Sequence, residues 1–178
     1  MAKSKWAVDS AHSSIDFSVK HMMVAKVKGS FNSFEGSAEA DTDDLTTADV
    51  AFNIDVNSID TRNADRDAHL KASDFFDVEN YPTITFKSTD ITKKGANEYD
   101  MTGDLTLHGT TRPETFALTF EGEVKDPMSG KEKAGFSGET KIKRSDFGLT
   151  WNAALETGGV MLGDEIKISI EIEATKEA

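Results

Sequence analysis

Near its C-terminal end the chain reads Ile166-Lys-Ile-Ser-Ile-Glu-Ile-Glu173, four isoleucines at every second position with polar residues between them. Successive side chains of a strand point to opposite faces, so this spacing gathers Ile166, Ile168, Ile170 and Ile172 on one side. A strand that is dry on one face and wet on the other belongs to an antiparallel sheet, not to a parallel sheet buried on both sides. The pattern recurs along most of the chain. Ile15, Phe17 and Val19 share a face, as do Val50, Phe52, Ile54 and Val56. Ile84 pairs with Phe86; Tyr99, Met101, Leu105 and Leu107 form a row broken by Gly103; Phe116, Leu118 and Phe120 follow, then Phe136 with Ile142. Shorter strands are predicted around Trp6–Val8, Val27–Phe31 and Phe34–Ala40.

Turn signals separate these runs: Asp41–Asp44, Lys93–Asn97, Asp126–Gly130 and Thr157–Gly159. Helical periodicity is confined to two short segments, Asn63–Leu70 and Ser73–Val78. No repeat or linker divides the chain, so residues 1–178 read as one all-β domain. Amphipathic antiparallel strands either pack as two sheets or close into a barrel. Closure removes exposed edges, and Gly29, Gly36, Gly103, Gly122 and Gly138 at strand positions suit bends or bulges, which favours an extended barrel. At about eight strands a barrel interior is wide enough to hold one small ligand. The shared face then supplies the candidate lining: Phe17, Val19, Phe52, Ile54, Phe86, Leu105, Leu107, Phe116, Leu118 and Phe136. Trp151 is placed to cap an open end, and His21 shares the parity of Phe17 and Val19, making it the candidate polar contact.

Composition excludes several functions. The net charge of -12 argues against a nucleic-acid partner, since no basic run could neutralise a phosphate backbone. Cysteine is absent, which removes disulfides, thiolate catalysis and cysteine-ligated metals. The N-terminal residues lack the apolar core of a signal peptide, and no run approaches the roughly 18 apolar residues of a transmembrane helix, so the expected compartment is the cytoplasm. His12, His21, His69 and His108 fit no compact metal motif, and neither metal nor cofactor is expected. They read as separately hydrogen-bonded histidines near turns and strand ends.

The stretch Thr61–Pro82 is the most polar interruption of the strand pattern. Asn63 or Asp65 is placed to cap a short helix. Phe75 and Phe76 give the segment an apolar side that would dock on the barrel, and Pro82 sets an extended entry into the next strand. Arg62 and Arg66 are candidate contacts for a phosphate head group, with the neighbouring aspartates as their partners.

Taken in order, Trp6-Ala-Val-Asp-Ser-Ala-His-Ser-Ser-Ile-Asp-Phe17, Val27-Lys-Gly-Ser-Phe31, Arg66-Asp-Ala-His-Leu70, Asp74-Phe-Phe-Asp77, Tyr81-Pro-Thr-Ile-Thr-Phe-Lys-Ser88, Gly103-Asp-Leu-Thr-Leu-His-Gly-Thr-Thr111, Arg144-Ser-Asp-Phe-Gly-Leu149 and Gly163-Asp-Glu-Ile166 resemble the YceI-like family of polyisoprenoid- or lipid-binding proteins. The resemblance implies a lipocalin-like, extended antiparallel β-barrel with an elongated apolar tunnel for an isoprenoid chain or similar amphiphile. It implies binding, transport or storage rather than catalysis. A small hydrolase or isomerase built on a histidine–acid pair, and a stress-related barrel without a dedicated ligand, are the competing readings. An exposed strand pair would also admit a homodimer.

Overall fold

The computed structural model describes residues 3–22, 24–152 and 162–177. Its strands are β1 (Ser4–Val8), β2 (Ser14–His21), β3 (Ala25–Phe31), β4 (Phe34–Asp41), β5 (Asp44–Asp55), β6 (Ile59–Asp60), β7 (Thr83–Lys93), β8 (Glu98–Leu107), β9 (Thr110–Lys125), β10 (Glu132–Lys143) and β11 (Leu162–Lys176), with one helix, α1 (Ala64–Lys71), between β6 and β7. Every pairing is antiparallel. β1 and β2 lie end to end along one edge of β11, with Val8 opposite Ala174 and Ile15 opposite Ile170. β4 and β3 lie end to end against that pair, and β5 and β6 lie end to end against those. The eleven strands therefore make eight staves of an up-and-down barrel, the first three each broken once. Because β1 pairs with both β4 and β11, the hydrogen-bond ring closes through β1, β4, β5 and β7–β11, while on the other half the sheet runs from β11 through β2 and β3 and ends at β6, where α1 follows.

The three breaks lie side by side. Residues 9–13 stand opposite residues 172–173 of β11, and the surplus is taken up by a 3-10 turn at Ser10–His12. Asp9 caps this turn by accepting the Ala11 N–H at 3.1 Å. A second 3-10 turn, Val56–Ser58, is capped in the same way by Asp55, which accepts the Asn57 N–H at 3.0 Å. Between them, the Asn32 N–H donates to the Ser58 carbonyl and the Asp55 N–H to the Ser33 carbonyl. On the other side the Glu173 N–H donates to Ser13 Oγ at 2.9 Å. Side-chain oxygens and carbonyls across the breaks thus replace the ladder bonds that are lost there, so the backbone N–H groups named keep their partners.

The expected strands are all present among the described residues, while the Thr157–Gly159 turn lies outside them. α1 starts where its sequence signal placed it: Asn63 is extended, and its Oδ1 accepts the Arg66 N–H at 3.0 Å. The second predicted helix, Ser73–Val78, is instead a run of turns, in which Phe75, Phe76 and Asp77 donate backbone N–H groups to Ala72 and Leu70 carbonyls. Phe75 is buried by this winding, and Phe76 packs edge-on against Phe31. The glycines behave in two ways. Gly122 adopts a positive φ beside a register shift between β9 and β10, as a bulge requires. Gly36 lies in regular register opposite Phe52, and a Cβ there would come within 2.7 Å of the Phe52 ring and of Val8. Its role is to let a ring lie across the strand, and no bend is involved. Among the described residues no helix is long and apolar enough to cross a membrane.

The seam carries a titratable contact. His12 Nδ1 sits 2.8 Å from Asp9 Oδ2 and 3.4 Å from Glu173 Oε2 on the outer surface. The His12 hydrogen bond holds the Asp9 carboxyl below its ordinary range, and the same bond, with the charges of Asp9 and Glu173, raises the imidazole. A raised imidazole contributes stability below its unfolded value and loses it as pH rises through the folded one. A lowered carboxyl contributes above its unfolded value and loses that as pH falls. The contact is therefore strongest in the window between the carboxylate and imidazole ranges. In an NMR titration His12 should titrate above about 6.5, and Asp9→Asn should return it toward that value; an unmoved His12 in the variant would show that the carboxylate does not set it.

Candidate ligand cavity and its mouth

Several residues on the inward face, among them Phe17, Phe52, Leu118, Phe136, Ile166 and Ile168, retain accessible surface although they point away from the outer face. They line hollow space. A cavity of about 250 Å³ fills the part of the barrel framed by β2, β3 and α1, and a second of about 90 Å³ fills the part framed by β1 and β4. Phe52, Met101 and Ile170 line both, so they form the neck between the two compartments. The walls are almost wholly aliphatic and aromatic. Phe86 and Phe116 meet edge-on at 5.3 Å in the larger compartment, and Phe120 and Phe136 lie tilted at 5.2 Å beside the smaller one.

Of the residues proposed from sequence, Phe17, Val19, His21, Phe52, Ile54, Arg66, Phe86, Leu105, Leu107, Phe116 and Trp151 line the larger compartment. Leu118 and Phe136 line the smaller one. Arg62 lines neither: it has a left-handed backbone, φ 64°, and its surroundings are Lys26, Lys28, Asp60 and Lys167 on the outer face. Arg66 reaches the cavity but is already engaged, donating from Nε to Thr61 Oγ1 at 2.8 Å and from Nη2 to the Thr61 carbonyl at 2.7 Å. The aspartates of this stretch do not pair with the arginines as expected. Asp67 accepts the Thr61 N–H, Asp60 accepts the Arg62 N–H and Asp74 faces His69. Short acidic side chains find backbone donors closer to hand than a neighbouring guanidinium, as in Asx turns.

The mouth lies where α1 and its following turns meet β2, β3 and the start of β11. His69, Phe75 and Trp151 form an aromatic cluster there, with the His69 ring edge-on to both others at 5.3 and 5.0 Å. His69 Nε2 is 3.1 Å from Asp74 Oδ2, which orients the imidazole between them. His21, Val27 and Leu162 complete the rim; all three are half-buried. His108 takes no part in the cavity. With Gly109 it forms the two-residue β8–β9 turn, both at positive φ, as a type I′ hairpin needs. Its Nδ1 lies 3.1 Å from the Phe147 carbonyl, which can only accept, so Nδ1 carries the proton.

Arg144 is one of the cavity residues that parity did not reveal, because it sits in a 3-10 turn, Arg144–Phe147, and not in a strand. It is 3% exposed and lines the larger compartment. Its guanidinium donates to four carbonyls: Gly163 from Nε at 2.8 Å, Leu149 and Trp151 from Nη1 at 2.6 and 2.8 Å, and Leu162 from Nη2 at 3.2 Å. Its neighbour Asp164 accepts from the Ser145 backbone N–H and hydroxyl instead, and that hydroxyl bond holds its carboxyl below the usual range. Burial pushes the Arg144 pKa down, with only the Asp164 charge opposing. A cation solvated by dipoles, without a carboxylate in contact, thus stands at the wall near the mouth and ties residues 149 and 151 to residues 162 and 163.

The fold and the hollow together define an antiparallel barrel of eight staves, with an apolar interior and a polar rim. The YceI-like domain model matches residues 6–174, and the chain belongs to that family. It is 42% identical over 170 residues to a UPF0312 protein of Staphylococcus epidermidis, covering 96% of each chain. The structure of Burkholderia cenocepacia BcnA superposes with a TM-score of 0.82 at 27% identity, covering 93% of this chain and 98% of that one. A polyisoprenoid binding domain from Saccharophagus degradans shares the fold at 14% identity, with a TM-score of 0.72 over 97% of this chain and 98% of that one.

Replacing Arg144 by Met, which keeps an unbranched apolar stem but has no donor, leaves four carbonyls short of a donor in a poorly hydrated site. The expected loss is about 3 kcal/mol or more of unfolding free energy, read from the urea midpoint. Arg144→Lys should recover only part of it, since one ammonium cannot reach all four acceptors. A midpoint unchanged in Arg144→Met would mean that the guanidinium does not hold this end of the barrel together.

Proposed function

We propose that the protein binds and carries a polyisoprenoid or a similar long-chain amphiphile, and that it does so without catalysis. The observation that carries this reading is the pair of apolar compartments that adjoin at Phe52, Met101 and Ile170 and are lined by inward side chains. Such a wall offers few directional polar groups, so affinity grows with the apolar area removed from water, about 0.8 kcal/mol per buried CH₂. Of the few charged or imidazole groups, Asp16, His21, Arg66, His69 and Arg144, all but Asp16 gather at the mouth, which suits a ligand with its chain inside and its polar end at the rim.

The histidine–acid reading has a specific observation behind it, the His69–Asp74 contact. Both side chains are nevertheless open to water, 41% and 50% exposed, and the ring is clasped by Phe75 and Trp151 at the rim. That placement fits a hinge of the entrance better than a base aimed at a bound substrate.

Organic extraction of natively purified protein, followed by mass spectrometry, tests the reading directly. One isoprenoid or comparable long-chain lipid per chain is expected. Val27→Trp, which fills the rim side of the larger compartment, should reduce occupancy at least tenfold, by about 1.4 kcal/mol or more of lost binding, without lowering the thermal midpoint. A lipid-free wild-type protein, indifferent in stability to added polyprenols, would overturn it.

A further inference from the structure

The β2–β3 hairpin differs from the rest of this acidic surface. Its tip carries Met22, 45% exposed and at a left-handed φ of 53°, and Val24, 89% exposed. Lys20 and Lys26 face each other across the two strands just behind the tip, and Lys28 follows opposite Ser18. On the same outer face Lys26, Lys28, Arg62 and Lys167 share one depression with only two carboxylates, Asp16 and Asp60. Asp60 is held by the Arg62 N–H and by Asn32, and Lys167 by Glu139 at 3.4 Å. The nearest acids on β11 are also engaged, Asp164 with Ser145 and Glu165 with Lys141. No ion pair within 4 Å occupies Lys20, Lys26 or Lys28 among the described residues. A chain of net charge -12 has thus collected a band of cations on one sheet face, directly behind two protruding apolar side chains.

Exposed apolar residues alone do not make this combination. Val124 and Met128, 66% and 95% exposed, belong to the β9–β10 hairpin. Charges there are mixed in sign: Glu123, Asp126 and Glu132 against Lys125, Lys131 and Lys133. That hairpin also extends from the opposite end of the barrel, since β9 begins beside the mouth at Thr110 and runs away from it. The β2–β3 tip by contrast is at the mouth. His21 pairs with Leu162, and His21, Val27 and Leu162 are rim residues of the larger compartment.

We infer that the β2–β3 hairpin docks the barrel on an anionic bilayer, with Met22 and Val24 entering the head-group region and Lys20, Lys26, Lys28, Arg62 and Lys167 lying over acidic lipids. The inference rests on the carrier reading for its purpose and supplies the donor surface for that cavity: the docked face places the mouth at the membrane. Basic side chains near a negatively charged leaflet attract it within a Debye length, and a small apolar insertion adds to their hold. The attraction is local, so it operates despite the negative charge of the whole chain, and it weakens as salt is added.

Sedimentation with vesicles of phosphatidylcholine, alone or with added phosphatidylglycerol, tests the docking. Binding is expected only with the anionic lipid and should fall on raising salt. Lys26→Ser with Lys28→Ser should lower the partition roughly twenty-five-fold, about fivefold for each lysine. Lys125→Ser with Lys131→Ser, on the other hairpin, should leave it unchanged. The absence of cysteine allows Val24→Cys to carry a single environment-sensitive dye, whose emission should shift to the blue on the same vesicles. Equal binding to both vesicles, no binding to either, or equal losses from the two lysine pairs would overturn the docking surface. These vesicles contain no isoprenoid, so the outcome is separate from the carrier reading. Extractable lipid without vesicle binding sinks the docking alone, and vesicle binding without extractable lipid leaves the docking standing while removing the carrier.

Discussion

One edge of β11 is shared by two strands, and the rest of the structure depends on that arrangement. Had β1 and β2 been a single unbroken strand, the sheet would close as a uniform tube. Because residues 9–13 are surplus to the register, the strand must leave the ladder and rejoin it, and its neighbours break at the same level. Asp9, Ser13, Ser33 and Asp55 supply the seam with the acceptors and caps that make this cheap in hydrogen bonds. The seam also divides the interior. β1 and β4 frame the small compartment, β2 and β3 the large one, and the neck residues stand between them.

The hollow persists because the wall is rigid and its large side chains are accommodated against the sheet. Phe52 lies across Gly36, and Phe17 across Gly29, in directly paired positions. A ring resting on a strand in this way covers the backbone that glycine exposes, and it does so without filling the centre. The hydrogen-bond ring through β1, β4, β5 and β7–β11 then resists the collapse that would remove the void in a looser fold. The fold's stability and the emptiness of its interior come from the same residues.

Alternation makes the staves and their inward faces legible in the sequence, from the isoleucines of β11 to the Phe and Leu rows of β8 and β9. Period two says nothing of where a strand breaks, and the seam was missed because its signals are scattered Asx and Ser residues common to any turn. The distinction between a packed core and a lined cavity was equally invisible, since parity is the same in both. Arg62 and Arg66 looked equivalent in sequence. A left-handed residue at 62 turns one outward, while the first turn of α1 carries the other toward the cavity. Arg144 carried no periodic signal at all, because it lies in a 3-10 turn between strands.

The distribution of polar groups limits what the cavity can distinguish. A hydrocarbon wall discriminates weakly among apolar chains, about 1–3 kcal/mol for a methylene more or less. Selectivity must then come from the two ends. At the far end Trp6 is buried and its Nε1 has no acceptor among the described residues, so a polar tail gains something there that a saturated tail does not. At the mouth, the Arg144 charge is already solvated by four carbonyls that it also holds in place. A head group drawing on that charge competes with the bonds that shape the entrance. Strong engagement of an anion by Arg144 would loosen the link between residues 149–151 and 162–163.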